Sequence, residues 1–344
     1  MHYSTILKLK WCTIVLLTYF MKKITVIGGG TGTFVVLSGL KKHNFDLAAI
    51  VTMMDSGGST GRLRDQLGVL PPGDLRQCLV ALSDAPELWR KLFLYRFEKG
   101  DLAGHNFGNI FLSALEKVCD DYDTVIDTVS YVLKTKGLVL PVTFEKTHLC
   151  VEYENGTVIK GEGNIDEDNP ERSRIVNAYL EPKVEVNQKA VKRILDSDFI
   201  IIGPGDLYTS IIPVLLVNDI KKHITNSKAK IIYNLNLMTK AGQTSDYTAL
   251  DFIEDLKKYT GRTPDYVVAH EGIIPEDILK WYQSHDEMPV ENNLHTNGFK
   301  GTILKEDVIN RTHIQKNSSD KLTRSILRHD IEKLTPLLVQ IMNQ

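Results

Sequence analysis

Residues 54–79 read MDSGGSTGRLRDQLGVLPPGDLRQCL, and few loops crowd glycine, arginine and aspartate together so densely. Backbone N–H groups around Ser56, Gly57 and Gly58 can form a nest for an anion. Arg62 and Arg64 can add bidentate contacts to a phosphate or carboxylate, a geometry lysine reproduces less well. Asp55 opposes an anion directly. It either ligates a Mg2+ that bridges phosphate oxygens or closes an Asx turn at the end of a strand, and the sequence leaves both open. Asp74 follows Pro71-Pro72-Gly73 and reads as the cap of the next helix. Arg76, one turn into that helix, faces either a cleft or an acidic neighbour.

The same chemical character recurs along the chain. Gly28-Gly29-Gly30-Thr31-Gly32-Thr33 offers close backbone approach, hydroxyl donors and a helix N-terminus to a phosphate. No Gly-Lys-Ser/Thr follows, so this is not a P-loop. Gly28-x-Gly30-x-x-Thr33 also lacks the third glycine of the dinucleotide fingerprint, which argues against a NAD-dependent dehydrogenase. Gly104-His105-Asn106-Phe107-Gly108-Asn109 opens another helix with amide side chains suited to a base, ribose or phosphate. His105 alone reads more simply as a capping or core residue. Gly203-Pro204-Gly205-Asp206-Leu207-Tyr208-Thr209-Ser210 repeats the pattern, as do Asn234, Asn236, Thr239 and the run Lys240–Thr244. There is no HExxH and no kinase catalytic loop. The loops therefore describe a site that binds and orients a phosphorylated ligand, with no covalent catalyst marked.

Elements that would position these loops are visible as short β-branched runs at 22–27, 47–53, 198–203, 230–236 and 265–270. Unbroken apolar strands are buried on both faces, so the expected fold is α/β: a doubly wound, Rossmann-like, mainly parallel sheet covered by helices. Between residues 81 and 136 the apolar spacing turns helical. From Leu138 to Lys160 it alternates, with Asn155-Gly156 as a hairpin turn. An antiparallel insertion is thus expected over about 138–180 within a core spanning 21–285, with the polar run 163–174 as a surface loop. Residues 286–344 are expected to pack on the core and to end in a helix from about Ser319. Residues 1–20 read as an extension from an upstream start or as a short signal-like segment. Their apolar run, Trp11–Phe20, is too short to span a bilayer, and Met21-Lys22-Lys23 reads as a natural start.

The 344-residue chain carries a formal net charge of −2, which argues against a nucleic-acid partner. Cys12, Cys78, Cys119 and Cys150 are scattered without a CxxC pair, as in a protein of a reducing compartment without structural zinc. A cytoplasmic location follows.

Taken in order, GGGTG at 28–32, DSGGSTGRLR at 55–64, LPPGDLRQCLVALSD at 70–84, AGHNFGN at 103–109, GPGDLYTSIIP at 203–213 and NLMTKAGQT at 236–244 resemble the YvcK/CofD family. The closer branch resembles the YvcK type, which implies UDP-sugar binding (UDP-N-acetylglucosamine, for instance) and support of gluconeogenic growth and cell shape. The other branch implies a Mg2+-dependent 2-phospho-L-lactate transferase, moving a phospholactyl group from a guanosine diphosphate donor to a deazaflavin. The resemblance implies that Gly30, Thr31 and Gly32 approach the phosphate or nucleotide, and that Asn109, Gly205 and Tyr208 line the same cleft. Gly29, Thr33, Gly203, Thr209 and Asn236 belong to the same motifs and are expected beside them. Tyr282 and Arg328 align with C-terminal positions that contact the nucleotide-sugar. The chain departs from the pattern at Ser56, Asn106 and Asp206, and Ser56 stands where a further metal ligand is expected. A homo-oligomer and a regulatory protein partner are compatible with this reading.

Overall fold

The computed structural model describes residues 21–165, 174–295, 298–311 and 325–344. The expected extension at 1–20 and most of the expected surface loop, 166–173, lie outside the described residues. Strand β1 (Lys23–Ile27) places Ile24, Val26 and Ile27 wholly out of solvent, as a central parallel strand requires. Each such isoleucine contributes about 2–3 kcal/mol by leaving water. It feeds α1 (Gly30–Leu40) and then β2 (Asp46–Val51). Five helices follow: α2 (Gly58–Leu67), α3 (Gly73–Leu82), α4 (Glu87–Leu94), α5 (Phe107–Val118) and α6 (Tyr122–Leu133). The chain then forms β3 (Leu138–Pro141), β4 (His148–Tyr153), β5 (Val158–Lys160), the single turn α7 (Glu162–Ile165) and β6 (Ile175–Glu181).

From α8 (Gln188–Asp196) the parallel alternation resumes with β7 (Phe199–Ile202), a π-helical turn (Leu207–Ile211) that runs into α9 (Ile212–Leu215), and α10 (Ile220–Asn226). Next come β8 (Lys230–Asn234), α11 (Ala249–Thr260), β9 (Tyr266–His270) and α12 (Glu276–Gln283). The chain closes with β10 (Thr302–Glu306), the short strands β11 (Ile309–Asn310) and β12 (Arg328–His329), and α13 (Ile331–Met342).

Seven strands form one parallel sheet in the order β10-β9-β8-β7-β1-β2-β3. Val26 of β1 is opposite Ala49 of β2 on one side and Ile201 of β7 on the other. Chain growth reverses between β1 and β7, and that switch point leaves a crevice beyond the strands' carboxyl ends. At the opposite end, buried Arg193 ties the strands together through Thr25 Oγ1 at 3.1 Å, Ile24 O at 3.1 Å and Asp46 Oδ1 at 2.9 Å. The α/β architecture is thus the doubly wound, Rossmann-like one expected.

Two boundaries differ from the sequence reading. Leu138–Pro141 is not part of the antiparallel insertion: β3 is the outer parallel strand of the main sheet, and its apolar residues run unbroken from Val139. The antiparallel sheet, in the order β5-β4-β6, starts only at His148, with Asn155-Gly156 turning its hairpin. The last helix starts at Ile331, not near Ser319, because Asp330 caps it by accepting from Glu332 N and Lys333 N. The C-terminal region also does more than cover the core, since β10 extends the main sheet beside β9. Among the described residues, no helix is long and apolar enough to cross a membrane.

Candidate functional site

The loops after β1, β2, β7 and β8 converge on one cleft at the switch point. Its floor is Gly29, Gly30, Thr31 and Gly32 at the N-terminus of α1, facing Pro204, Gly205 and Asp206 of the loop after β7. The two loops touch so closely that a Cβ on Gly32 would overlap the carbonyl of Pro204. A Cβ on Gly29 would overlap the Asp74 carboxylate in the same way. Gly30 has φ of +65°, and its N–H donates to Asp74 Oδ1 at 2.7 Å. Asp74 is therefore not the helix cap expected of it. Pro72 occupies the cap position, and the carboxylate reaches across to the first glycine loop. Thr33 is buried behind the floor and donates to Gly29 O at 3.1 Å.

The side wall is a hydroxyl–amide network. Asn109 Nδ2 reaches Ser59 Oγ at 3.4 Å and Thr60 Oγ1 at 3.3 Å, and Asn106 N donates to Ser59 Oγ at 3.3 Å. His105 Nδ1 lies 3.2 Å from the same Ser59 oxygen. Burial lowers the His105 pKa, with Arg62 and Arg96 adding to the effect, so the imidazole is favoured neutral. His105 thus braces Ser59 from behind while Ser59, Thr60 and Asn109 face the cleft. On the opposite side, Asn236 Nδ2 donates to Gly205 O and Asn234 Nδ2 to Gly203 O, each at 2.9 Å, fixing the GPG loop. Tyr282 closes the far end, where its hydroxyl accepts from Leu327 N at 3.0 Å beside Arg328 and His329.

Of the residues singled out from sequence, Gly29, Gly30, Thr31, Gly32, Asp55, Gly57, Asn109, Gly205, Thr209, Asn236, Tyr282 and Arg328 line this cleft together. Others lie elsewhere. Once α2 begins at Gly58, Arg62 is carried outward to donate to Ala103 O at 3.1 Å, and Arg64 pairs with the adjacent Asp65 at 3.0 Å. Neither lines the cleft. Ser56 turns its Oγ to accept from Gly163 N at 2.8 Å, and Gly203 opens the GPG loop with its carbonyl held by Asn234 and does not line the cleft. Tyr208 is fully buried, donating to Asp255 Oδ2 at 2.6 Å beside Tyr247. The cations that do reach the cleft are Arg76, Arg96, Lys240 and Arg328; Lys240 belongs to the loop already singled out after β8, and only Arg96 carried no distinguishing sequence signal.

Acids also line the cleft: Asp55, Asp74, Glu162 and Asp206. Asp55 Oδ1 accepts from Gly57 N at 2.9 Å, so it closes an Asx turn while still facing the cleft. Among the described residues, no group of three or more His, Cys, Asp and Glu side chains is placed to hold a metal ion. Mg2+ commonly takes one or two carboxylates and fills its remaining positions with water and phosphate oxygens. Asp55 and Asp74 fit that partial role, whereas Ser56 faces Gly163.

Comparisons with known proteins follow the same line. The family model for 2-phospho-L-lactate transferase CofD matches residues 24–312. A protein of Aquifex aeolicus (strain VF5) is 41% identical over 331 residues, 94% of this chain and 98% of its own. The gluconeogenesis factor of Bacillus subtilis (strain 168) is 37% identical over 326 residues, 94% of this chain and 98% of its own. A crystal structure of a UPF0052-family protein of Bacillus halodurans superposes with a TM-score of 0.84 at 34% identity, covering 93% of this chain and 99% of that one.

Proposed function

This chain belongs to the CofD family, and on that premise we propose that its cleft binds a nucleoside-diphosphate sugar, with UDP-N-acetylglucosamine the leading candidate. In this reading the protein is a cytoplasmic gluconeogenesis factor whose ligand-bound state serves growth on gluconeogenic carbon and the regulation of cell shape. The observation that carries the reading is the contact of two glycine loops at the switch point. A helix N-terminus from α1 and the GPG loop after β7 together offer backbone approach to a diphosphate, with Arg76, Arg96, Lys240 and Arg328 among the lining residues. The hydroxyl–amide wall of Ser59, Thr60 and Asn109 suits the neutral, donor-rich parts of a sugar or nucleoside. Calorimetric titration with UDP-N-acetylglucosamine tests this directly. Saturable heat with a one-to-one stoichiometry is expected; no heat with the UDP-sugar alongside clear binding of GDP would overturn the reading.

Asp55 and Asp74 favour a second reading. Two carboxylates at a phosphate cleft suit a Mg2+-dependent transferase of the 2-phospho-L-lactate type, the metal neutralising charge on a guanosine diphosphate donor. Transfer of a phospholactyl group to a deazaflavin in the presence of Mg2+ would establish that activity. Absence of product under conditions where the donor binds would exclude it.

A further inference from the structure

The loop after β8 carries a cation that the glycine walls do not require. Lys240 lines the cleft with its side chain 13% exposed, and its Nζ stands 3.2 Å from Oε1 of Glu287, which is 5% exposed. Backbone bonds set the position of this loop. Thr239 N donates to Met288 O at 2.7 Å, Met288 N to Thr239 Oγ1 at 2.9 Å and Val290 N to Leu237 O at 3.1 Å. The loop thus has an anchor independent of the ion pair. A lysine–glutamate pair this deep is a poor stabiliser, because desolvation offsets most of the attraction between the charges. Stability therefore gives little reason for such a pair at the wall of a ligand cleft.

Resting on the reading that the cleft takes a diphosphate, we propose that Lys240 recognises a phosphate oxygen of the ligand, and that Glu287 keeps the ammonium neutralised until that anion arrives. The pair makes the wall selective. An uncharged nucleoside gains nothing by displacing Glu287, whereas a phosphate replaces it as the partner of Lys240. The released carboxyl is not left as a bare buried charge. Glu287 is bonded to Lys240, the Ala241 backbone and, through its own N–H, Tyr282 O; burial raises its pKa, and the Asp206 charge adds to that, against the opposing pull of Lys240. Once the ammonium turns to phosphate, Glu287 takes up a proton from solvent, so binding is coupled to proton uptake.

Calorimetry with inorganic pyrophosphate and with UDP-N-acetylglucosamine, in two buffers of different ionisation enthalpy, tests the pair. Glu287→Gln removes the competitor and is expected to tighten pyrophosphate binding about tenfold, while Lys240→Gln weakens it about tenfold. Wild type takes up a proton on binding and Glu287→Gln does not. Uridine affinity, the phosphate-free control, moves with neither variant. Circular dichroism confirms folding, and Lys240→Met replaces Lys240→Gln if that variant is unfolded. Shifts of the same sign in the two variants, no shift in either, or no pyrophosphate binding at all would overturn the inference. If UDP-N-acetylglucosamine fails to bind while pyrophosphate behaves as stated, the sugar reading falls and the role of Lys240 stands.

Discussion

Gly32→Ala sets two physical effects against each other at the floor of the cleft. Gly32 lies in the first turn of α1, where alanine has the higher helix propensity, by about 1 kcal/mol. On local preference alone the substitution stabilises. The added Cβ, however, would overlap the carbonyl of Pro204 and press on Gly205 N, which are backbone atoms and not the end of a flexible side chain. The GPG loop has little freedom to retreat, because Asn234 and Asn236 hold the carbonyls of Gly203 and Gly205 at 2.9 Å. Overpacking costs about 1–3 kcal/mol, and against backbone atoms the upper part of that range, about 2–3, applies, so the net change should be a loss of about 1–2 kcal/mol. Separating the two loops should also weaken UDP-N-acetylglucosamine at least tenfold, about 1.4 kcal/mol. Urea unfolding monitored by circular dichroism, followed by calorimetry on the same preparation, measures both. An unfolding midpoint at or above wild type, with wild-type affinity, would show that the two glycine loops do not form one rigid floor.

Arg328→Ala should weaken UDP-N-acetylglucosamine binding by more than about 1.5 kcal/mol, whereas Arg62→Ala should leave it within about 0.5 kcal/mol, and equal losses would contradict the placement of α2. Tyr208→Phe should lower stability by about 1 kcal/mol without altering affinity, since its hydroxyl serves Asp255; a loss of affinity alone would put Tyr208 back at the site. Burial, aided by nearby His270, pushes the His329 pKa down from 6.5 to about 4. Between those values the unfolded chain binds a proton that the folded chain refuses, so stability rises with pH across that window. The His329 contribution, up to about 3 kcal/mol, is present above pH 6.5 and lost as pH falls toward 4. Comparing urea midpoints at pH 4.5 and 7.5, His329→Asn should flatten the dependence, and an unchanged slope would rule out a neutral buried His329.

Most of the sheet was legible because strands buried on both faces leave an unbroken apolar run, as in FIII of β7 and KIIYN of β8. Leu138–Pro141 was misread because it stands directly before two alternating strands, and periodicity does not show where one sheet ends and another begins. The glycine loops were legible for a related reason: close approach excludes a side chain, and that exclusion is written in the sequence at Gly32, against the Pro204 backbone, and at Gly29, against the Asp74 carboxylate. Side-chain direction was not legible. Arg62 and Arg64 were read as anion contacts, but their azimuth depends on α2 starting at Gly58, and that turns them away from the cleft. Arg96 reaches the cleft from outside the glycine loops, where only the tertiary arrangement distinguishes it from a surface cation. Tyr208 sits inside a ligand-like motif yet faces the core, because the π-helical turn rotates it behind the GPG loop toward Asp255.

The position of Asp74 sets a condition on how the cleft can accept a phosphate. Its carboxylate already occupies the Gly30 amide at 2.7 Å, the donor that the first glycine loop would otherwise present. A phosphate arriving at that loop meets a like charge, and two unit charges about 5 Å apart repel by roughly 3 kcal/mol at an effective dielectric near 20. A divalent cation held by Asp55 and Asp74, which both line the cleft, would reverse that sign. UDP-N-acetylglucosamine should therefore bind at least about tenfold more tightly with Mg2+ than in a chelator. Asp74→Asn keeps the side chain's shape and an acceptor for Gly30 while removing the charge. It should raise the metal-free affinity and abolish most of the Mg2+ dependence. Calorimetry of both proteins with and without Mg2+ gives the four affinities needed. If wild type binds equally well in chelator and Asp74→Asn changes nothing, the phosphate does not approach Gly30, and the diphosphate must instead lie toward Lys240 and Arg328.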